Sequence, residues 1–164
     1  MVTRAGAGSV RIAVVPAIHR NAIPAQYIDP PGLPVGVVAS AGPPVGFVVM
    51  FSNGLRAYFS GDTGITAEMD MIAKVYRPSL AIINVNDLNT MGPNEAALAM
   101  QLYIRPVTVM PSHVNEQSTS NGFEIAGTRA DRFARQARGF AAVVLSLSDV
   151  TRSFDGEGRC IGCR

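Results

Sequence analysis

Apolar positions fall into short runs of two kinds, and from Leu55 onward the two kinds alternate. Val10-Arg11-Ile12-Ala13-Val14-Val15-Pro16 reads as a buried strand closed by its proline. Gly46–Ser52 and Leu55–Ser60 flank Asn53-Gly54, and two strand-like runs around Asn-Gly predict a hairpin. Leu80–Val85 and Val107–Pro111 are further runs of strand length, and Ala141–Leu147 and Val150–Phe154 close the chain as strands. Between them the period becomes helical. Thr66 is the expected N-cap of a first helix with Glu68 and Asp70 in its first turn, an apolar face of Met69, Ile72, Ala73 and Tyr76, and Pro78 as its stop. Gly92-Pro93 opens a second helix, with Glu95 near its start, that ends before Pro106. A third helix is expected at about 124–138, after a polar loop Asn115–Gly122, with Arg129, Arg132, Arg135 and Arg138 forming a solvated face. Strands alternating with helices predict an α/β layered domain.

Residues 20–45 break this rhythm with Pro24, Pro30-Pro31-Gly32, Pro34 and Gly42-Pro43-Pro44. So long a loop inside a compact domain is usually functional or mobile, and it leaves directly from His19. The 164 residues fit a single domain, 1–164, with 155–164 as a flexible tail. A net charge of +2 with no basic run argues against a nucleic-acid footprint. No apolar run is long enough to span a membrane, and no sustained apolar segment precedes Pro16, so neither membrane contact nor a signal peptide is expected. Cys160 and Cys163 form one C-x-x-C without a second pair or nearby histidines, which reads as free thiols in a reducing, cytoplasmic setting.

The candidate chemistry sits where apolar runs stop. Leu55–Ser60 ends at Gly61-Asp62-Thr63-Gly64, which leaves a carboxylate between two glycines. The chain's two histidines occupy matching places: His19 follows Val-Val-Pro-Ala-Ile and His113 follows Val-Met-Pro-Ser. Asp beside Gly makes ordinary turns, and a single strand-end histidine is equally well a hydrogen-bonded loop residue. Together, two imidazoles and a carboxylate on one rim are a donor set for zinc or a similar divalent metal. An open coordination position there turns bound water into hydroxide near neutral pH.

Tyr58-Phe59-Ser60-Gly61-Asp62-Thr63-Gly64 resembles the strand-then-Gly-Asp-Thr-Gly segment of the metallo-β-lactamase superfamily, and is similar to the metal-dependent hydrolases of the ascorbate-6-phosphate lactonase type. The resemblance continues through Ala67–Ile82, Thr90–Ala97 and Val109–His113. Upstream, Val15–His19 resembles the segment that carries the family's third-motif histidine. It implies half of an αββα sandwich, a mixed sheet with helices packed on its outer face. It implies that Asp62 bridges two metals, with His19 on one and His113 on the other. The implied activity is hydrolysis of a small-molecule lactone, ester or phosphoester by a metal-bound hydroxide that Asp62 positions. The implied cofactor is one or two divalent ions, zinc or manganese. Asn86, Asp87 and the Thr90-Met91 turn would lie near the pocket.

The family's first metal motif, His-x-His-x-Asp-His, is absent, and a chain with two histidines cannot contain it. The sequence therefore resembles the C-terminal half of such a hydrolase. An impaired site is expected, with three donors spread over two metals or gathered as a 2-His-1-carboxylate set on one. Half a sandwich is also expected to expose apolar surface, and so to self-associate or to take a complementing N-terminal half. Two other readings stand beside this one. The chain could be a catalytically silent remnant or interaction subunit of the same fold. Asp62-Thr63-Gly64 also spells the aspartic-protease triplet, which would require a homodimer to supply a second carboxylate.

Overall fold

The computed structural model describes residues 2–5, 8–24, 38–114, 116–120, 123–145 and 150–163. In chain order the elements are β1 (Val2–Ala5), β2 (Gly8–Pro16), β3 (Ala22–Pro24), β4 (Val38–Ser40), β5 (Val45–Phe51), β6 (Arg56–Phe59), α1 (Glu68–Tyr76), β7 (Leu80–Asn84) and α2 (Pro93–Ala99). A π-helical stretch, Met100–Ile104, follows α2. Then come β8 (Thr108–Ser112), β9 (Thr119–Ser120), β10 (Phe123–Glu124), α3 (Arg129–Ala137), β11 (Ala142–Val143), β12 (Ser153–Phe154) and β13 (Cys160–Ile161). Seven strands form one mixed sheet in the order β1-β2-β5-β6-β7-β8-β11. The first four pair antiparallel and β6, β7, β8 and β11 run parallel, each parallel step crossed by one helix. β5 and β6 meet at Asn53-Gly54, where the Asn53 side chain accepts the Leu55 N–H at 3.1 Å.

The two faces of the sheet differ sharply. On one, Val48, Tyr58, Ala81 and Val109 stand side by side across β5 to β8 and are fully buried. Met69 and Ile72 of α1, Ala96, Ala97 and Ala99 of α2, and Phe133 and Ala137 of α3 share that core. On the other face, strand register lines up Val14, Phe47, Phe59, Ile82 and Met110 across β2, β5, β6, β7 and β8. Val14 is 63% exposed, Phe47 40% and Phe59 39%. A groove of about 360 Å³ opens there, with Phe51, Phe59, Ile82 and Met110 on its floor and Phe154 at its side. The bare apolar face expected of half a sandwich is present in part: Val14, Phe47 and Phe59 are open, while Leu55, Ala57 and Leu80 are buried in a second small cluster under Phe154.

Several local expectations are corrected. α1 begins at Glu68 rather than directly after Thr66, although the Thr66 hydroxyl does accept the Glu68 N–H at 3.4 Å. α3 begins at Arg129, not near 124, because Phe123-Glu124 pairs with Thr119-Ser120 and Thr128 caps the helix by accepting the Asp131 N–H at 3.3 Å. Arg129 leaves the solvated face of that helix for ion pairs described below. Cys160 and Cys163 are joined in a disulfide rather than free, since the turn after β13 brings their Cα atoms to 5.7 Å, within bridging range. Of the Pro/Gly-rich loop, residues 25–37 lie outside the described residues, as do 146–149 of the closing strands. Among the described residues, no helix is long and apolar enough to cross a membrane.

Candidate functional site

β2 is antiparallel to β5 and β5 to β6, so β2 runs in the same direction as β6, β7 and β8. Their C-terminal ends therefore share one rim. The residues that follow are His19 after β2, Asp62 after β6, Asn86 and Asp87 after β7, and His113 after β8. Open α/β sheets bind ligands at this edge, because the strand pitch delivers side chains there while the helices close the flank.

Backbone geometry and a buried polar network hold the Asp62 turn. Gly61 has φ +60, and a Cβ on it would stand 2.6 Å from the Val45 carbonyl oxygen. Only glycine fits both the left-handed backbone and that approach. Beneath the turn, Asn84 is 1% exposed. Its Nδ2 donates to the Thr63 carbonyl at 3.1 Å, and its Oδ1 lies 3.1 Å from the Ser60 hydroxyl. Thr63, fully buried, accepts the Ile18 N–H on its hydroxyl at 2.9 Å, and the Gly64 N–H donates to the Ile18 carbonyl at 2.8 Å. The segment leading into His19 is thus zipped to the residues just after Asp62.

At the rim itself, His113 Nδ1 lies 2.7 Å from Asp62 Oδ1, with both side chains partly exposed. His113 has φ +52, a left-handed conformation that non-glycine residues rarely adopt and that clusters at functional positions. His19 Nδ1 donates instead to the Arg20 carbonyl, at 2.8 Å. In both rings Nδ1 is engaged and Nε2 is left as the candidate metal nitrogen, the tautomer that a carboxylate or carbonyl partner fixes in metal-binding histidines. The structure brings Asp62 and His113 together. It does not gather His19 with them, for no group of three or more His, Cys, Asp or Glu side chains among the described residues could hold a metal ion. The partner of Asp62 is an imidazole, not the second carboxylate an aspartic-protease dyad requires.

No family model matches the chain. A UPF0173 metal-dependent hydrolase of Cupriavidus taiwanensis is 40% identical over 81 residues, 49% of this chain and 28% of that protein. One from Methanoregula boonei is 34% identical over 127 residues, 75% of this chain and 52% of that protein. A solved metallo hydrolase from the hyperthermophilic archaeon Ignicoccus hospitalis superposes with a TM-score of 0.59 at 26% identity, over 93% of this chain and 52% of that one. A metallo-β-lactamase fold protein from Bacillus subtilis superposes with a TM-score of 0.50 at 10% identity, over 89% and 49%. These relatives and solved structures support placing the chain with the metallo-β-lactamase superfamily. It spans about half, or less, of the length of the curated relatives it matches.

Sequence reasoning missed the ion-pair cluster beside His113. Arg129 Nε lies 2.9 Å from Asp87 Oδ2, and its Nη1 reaches the Val114 carbonyl at 3.3 Å and Glu116 Oε2 at 3.4 Å. Arg132 Nη2 lies 3.6 Å from the same Asp87 oxygen. The Arg129 backbone N–H also donates to Glu116. Sequence carried no signal for it, because a helix read from about 124 puts Arg129 past the first turn; with the observed start at Arg129 the cation stands where the macrodipole disfavours it.

Proposed function

We propose that this chain carries part of the metal-binding rim of a metal-dependent hydrolase, with His19, Asp62 and His113 as its donors. One observation carries the reading: Asp62 and His113 are in contact at 2.7 Å on the rim where the strands end, in a chain of this superfamily. The donor chemistry fits a divalent metal such as zinc or manganese, since two neutral imidazoles and a carboxylate are what such ions take. The arrangement fits only in part, because His19 stands apart from the other two. A metal, when bound, supplies Lewis acidity and an activated water. Asp62 orients the His113 ring by accepting its Nδ1–H, and Arg20 does the same for His19 through its carbonyl. The matching substrate is a small molecule with a hydrolysable lactone, ester or phosphoester bond, and a chain with this donor set alone acts weakly. A complementing half or a second copy fits the bare sheet face.

A second reading, a catalytically silent interaction subunit, is favoured by the separation of His19 from the other two donors. Titration of the full chain with Mn2+ and Zn2+, beside Asp62→Ala and His113→Ala, tests the first reading. Either substitution is expected to weaken binding at least about tenfold, the scale of a lost metal ligand or its orienting partner. Equal affinity in all three proteins overturns it. Metal binding without hydrolysis of a lactone, ester and phosphodiester panel favours the silent reading.

A further inference from the structure

We propose that Arg129 is a positioning residue that holds His113 in its strained conformation against Asp62. The inference deepens the reading above and rests on it for the claim that His113 is a metal donor. His113 is the first residue after β8 and adopts φ +52, so the chain must be held on both sides for that conformation to persist. On the β8 side, the Val85 N–H donates to the Ser112 carbonyl at 2.9 Å. On the far side stands Arg129. Its guanidinium reaches the Val114 carbonyl at 3.3 Å, immediately after His113, and Glu116 Oε2 at 3.4 Å. Glu116 also accepts the Arg129 backbone N–H, one of the N–H groups left unpaired at the start of α3. The loop that leaves His113 is thereby fastened to the helix by its backbone and by its carboxylate.

The same guanidinium anchors the neighbouring strand end. Nε lies 2.9 Å from Asp87 Oδ2, and Asp87 itself has φ +73. One planar fork therefore ties left-handed Asp87 after β7, and the residue that follows left-handed His113 after β8, to one helix terminus. A lysine, with one nitrogen, cannot reach Asp87 and the Val114 carbonyl at the same geometry. The position runs against helix electrostatics, since a cation at the start of α3 opposes the macrodipole. Asp87 and Glu116 offset that penalty. A residue that violates a local rule and gathers its compensation from two loops of the rim is placed for what those loops carry. Arg129 is the less exposed member of the cluster, at 24% against 42% for Asp87 and 31% for Glu116.

The test reads the His113 ring itself. In the 15N-labelled full chain, long-range proton–nitrogen correlations report which nitrogen of each neutral imidazole carries the proton, and His113→Ala assigns the two histidines. The wild type is expected to show His113 in one tautomer, protonated at Nδ1. In Arg129→Gln the His113 signal is expected to move toward the Nε2-protonated form that free imidazole side chains prefer, while His19 stays unchanged. Arg129→Lys keeps the charge and is expected to shift His113 in the same direction, which keeps the test available if the glutamine variant does not fold. An unchanged His113 tautomer in a folded Arg129 variant overturns the proposal. Mn2+ titration of the same proteins separates it from the reading it rests on. If His113→Ala binds metal as the wild type does, the donor assignment fails while the tautomer result still judges the clamp. If His113→Ala weakens binding, Arg129→Gln is expected to weaken it by about 10–100-fold.

Discussion

Tyr58 stands at the centre of the sheet, fully buried, and its hydroxyl has no hydrogen-bond partner among the described residues. Burial pushes its pKa up from 10.0 to about 12, because the low-polarity core disfavours the phenolate. The folded pKa is thus raised above the unfolded one. The neutral form contributes its full stability below pH 10, and that stability is lost as pH rises through 10 toward 12. Between the two values the unfolded chain releases one proton that the folded chain retains, a slope of about 1.4 kcal/mol per pH unit. At pH 11 the folded protein should have lost about 1.4 kcal/mol through this group alone. At pH 7 the hydroxyl is a buried polar group without a partner, and such groups destabilise by about 1–3 kcal/mol. Tyr58→Phe keeps the ring and removes the hydroxyl, so it should be stabilising by about 1 kcal/mol at pH 7. The gap between variant and wild type should widen by about 1.4 kcal/mol at pH 11. Urea unfolding of both proteins at pH 7, 9 and 11 measures this, and the difference cancels every other titrating group. A variant less stable than the wild type at pH 7, with a gap that does not grow at pH 11, would mean that the hydroxyl is paired, and the reasoning fails.

Two further outcomes follow from the sheet and its rim. Gly61→Ala forces a Cβ to 2.6 Å from the Val45 carbonyl at φ +60, and should destabilise the chain by at least about 1–2 kcal/mol in thermal unfolding; a smaller loss would show that the Asp62 turn can relax. Phe47→Ser with Phe59→Ser interrupts the apolar row on the exposed part of that face, so binding of a hydrophobic dye should drop; unchanged dye binding would mean that the row is not the exposed apolar surface that matters.

Much of the fold was legible because the signals were local. Asn53-Gly54 named its hairpin, and Pro93 with Glu95 named the start of α2, where Glu95 accepts the Gly92 N–H at 3.2 Å. His19, Asp62 and His113 were legible as one set because each sits just beyond a strand and strand ends of like direction share a rim, but sequence could not show that only Asp62 and His113 come into contact. What sequence could not show depends on distant partners. Arg129 lies 42 residues from Asp87 and 13 from Glu116, so a helical wheel assigns it to solvent with Arg132 and Arg135. Its true environment appears only when three loops meet. Glu124 was read as the start of a helix because so short a strand carries no period, and its pairing, with Phe123, to Thr119-Ser120 won. A C-x-x-C pattern is the same for free thiols, a metal pair and a disulfide, so only the turn after β13 decides it.

The fastening of the rim is separate from the bare face of the sheet, and this separation bears on what the chain can do. The Asp62 turn is held by Asn84, Ser60, Thr63 and the Met91 N–H, which donates to the Thr63 carbonyl at 3.0 Å. His113 is held through Ser112, Val114 and Glu116. None of these residues belongs to the row of Val14, Phe47, Phe59, Ile82 and Met110 on the exposed side. Covering that row would change solubility and association without having to rebuild the Asp62–His113 pair. His19 differs: it follows the strand end of β2, is tied to the rim on one side through Ile18 and on the other through Arg20, whose guanidinium donates to Asn89 at 3.0 Å, and turns its Nδ1 to its own neighbour's carbonyl. Of the three proposed donors, His19 is the one that stands apart from the other two, and so the one that a bound metal would have to draw in.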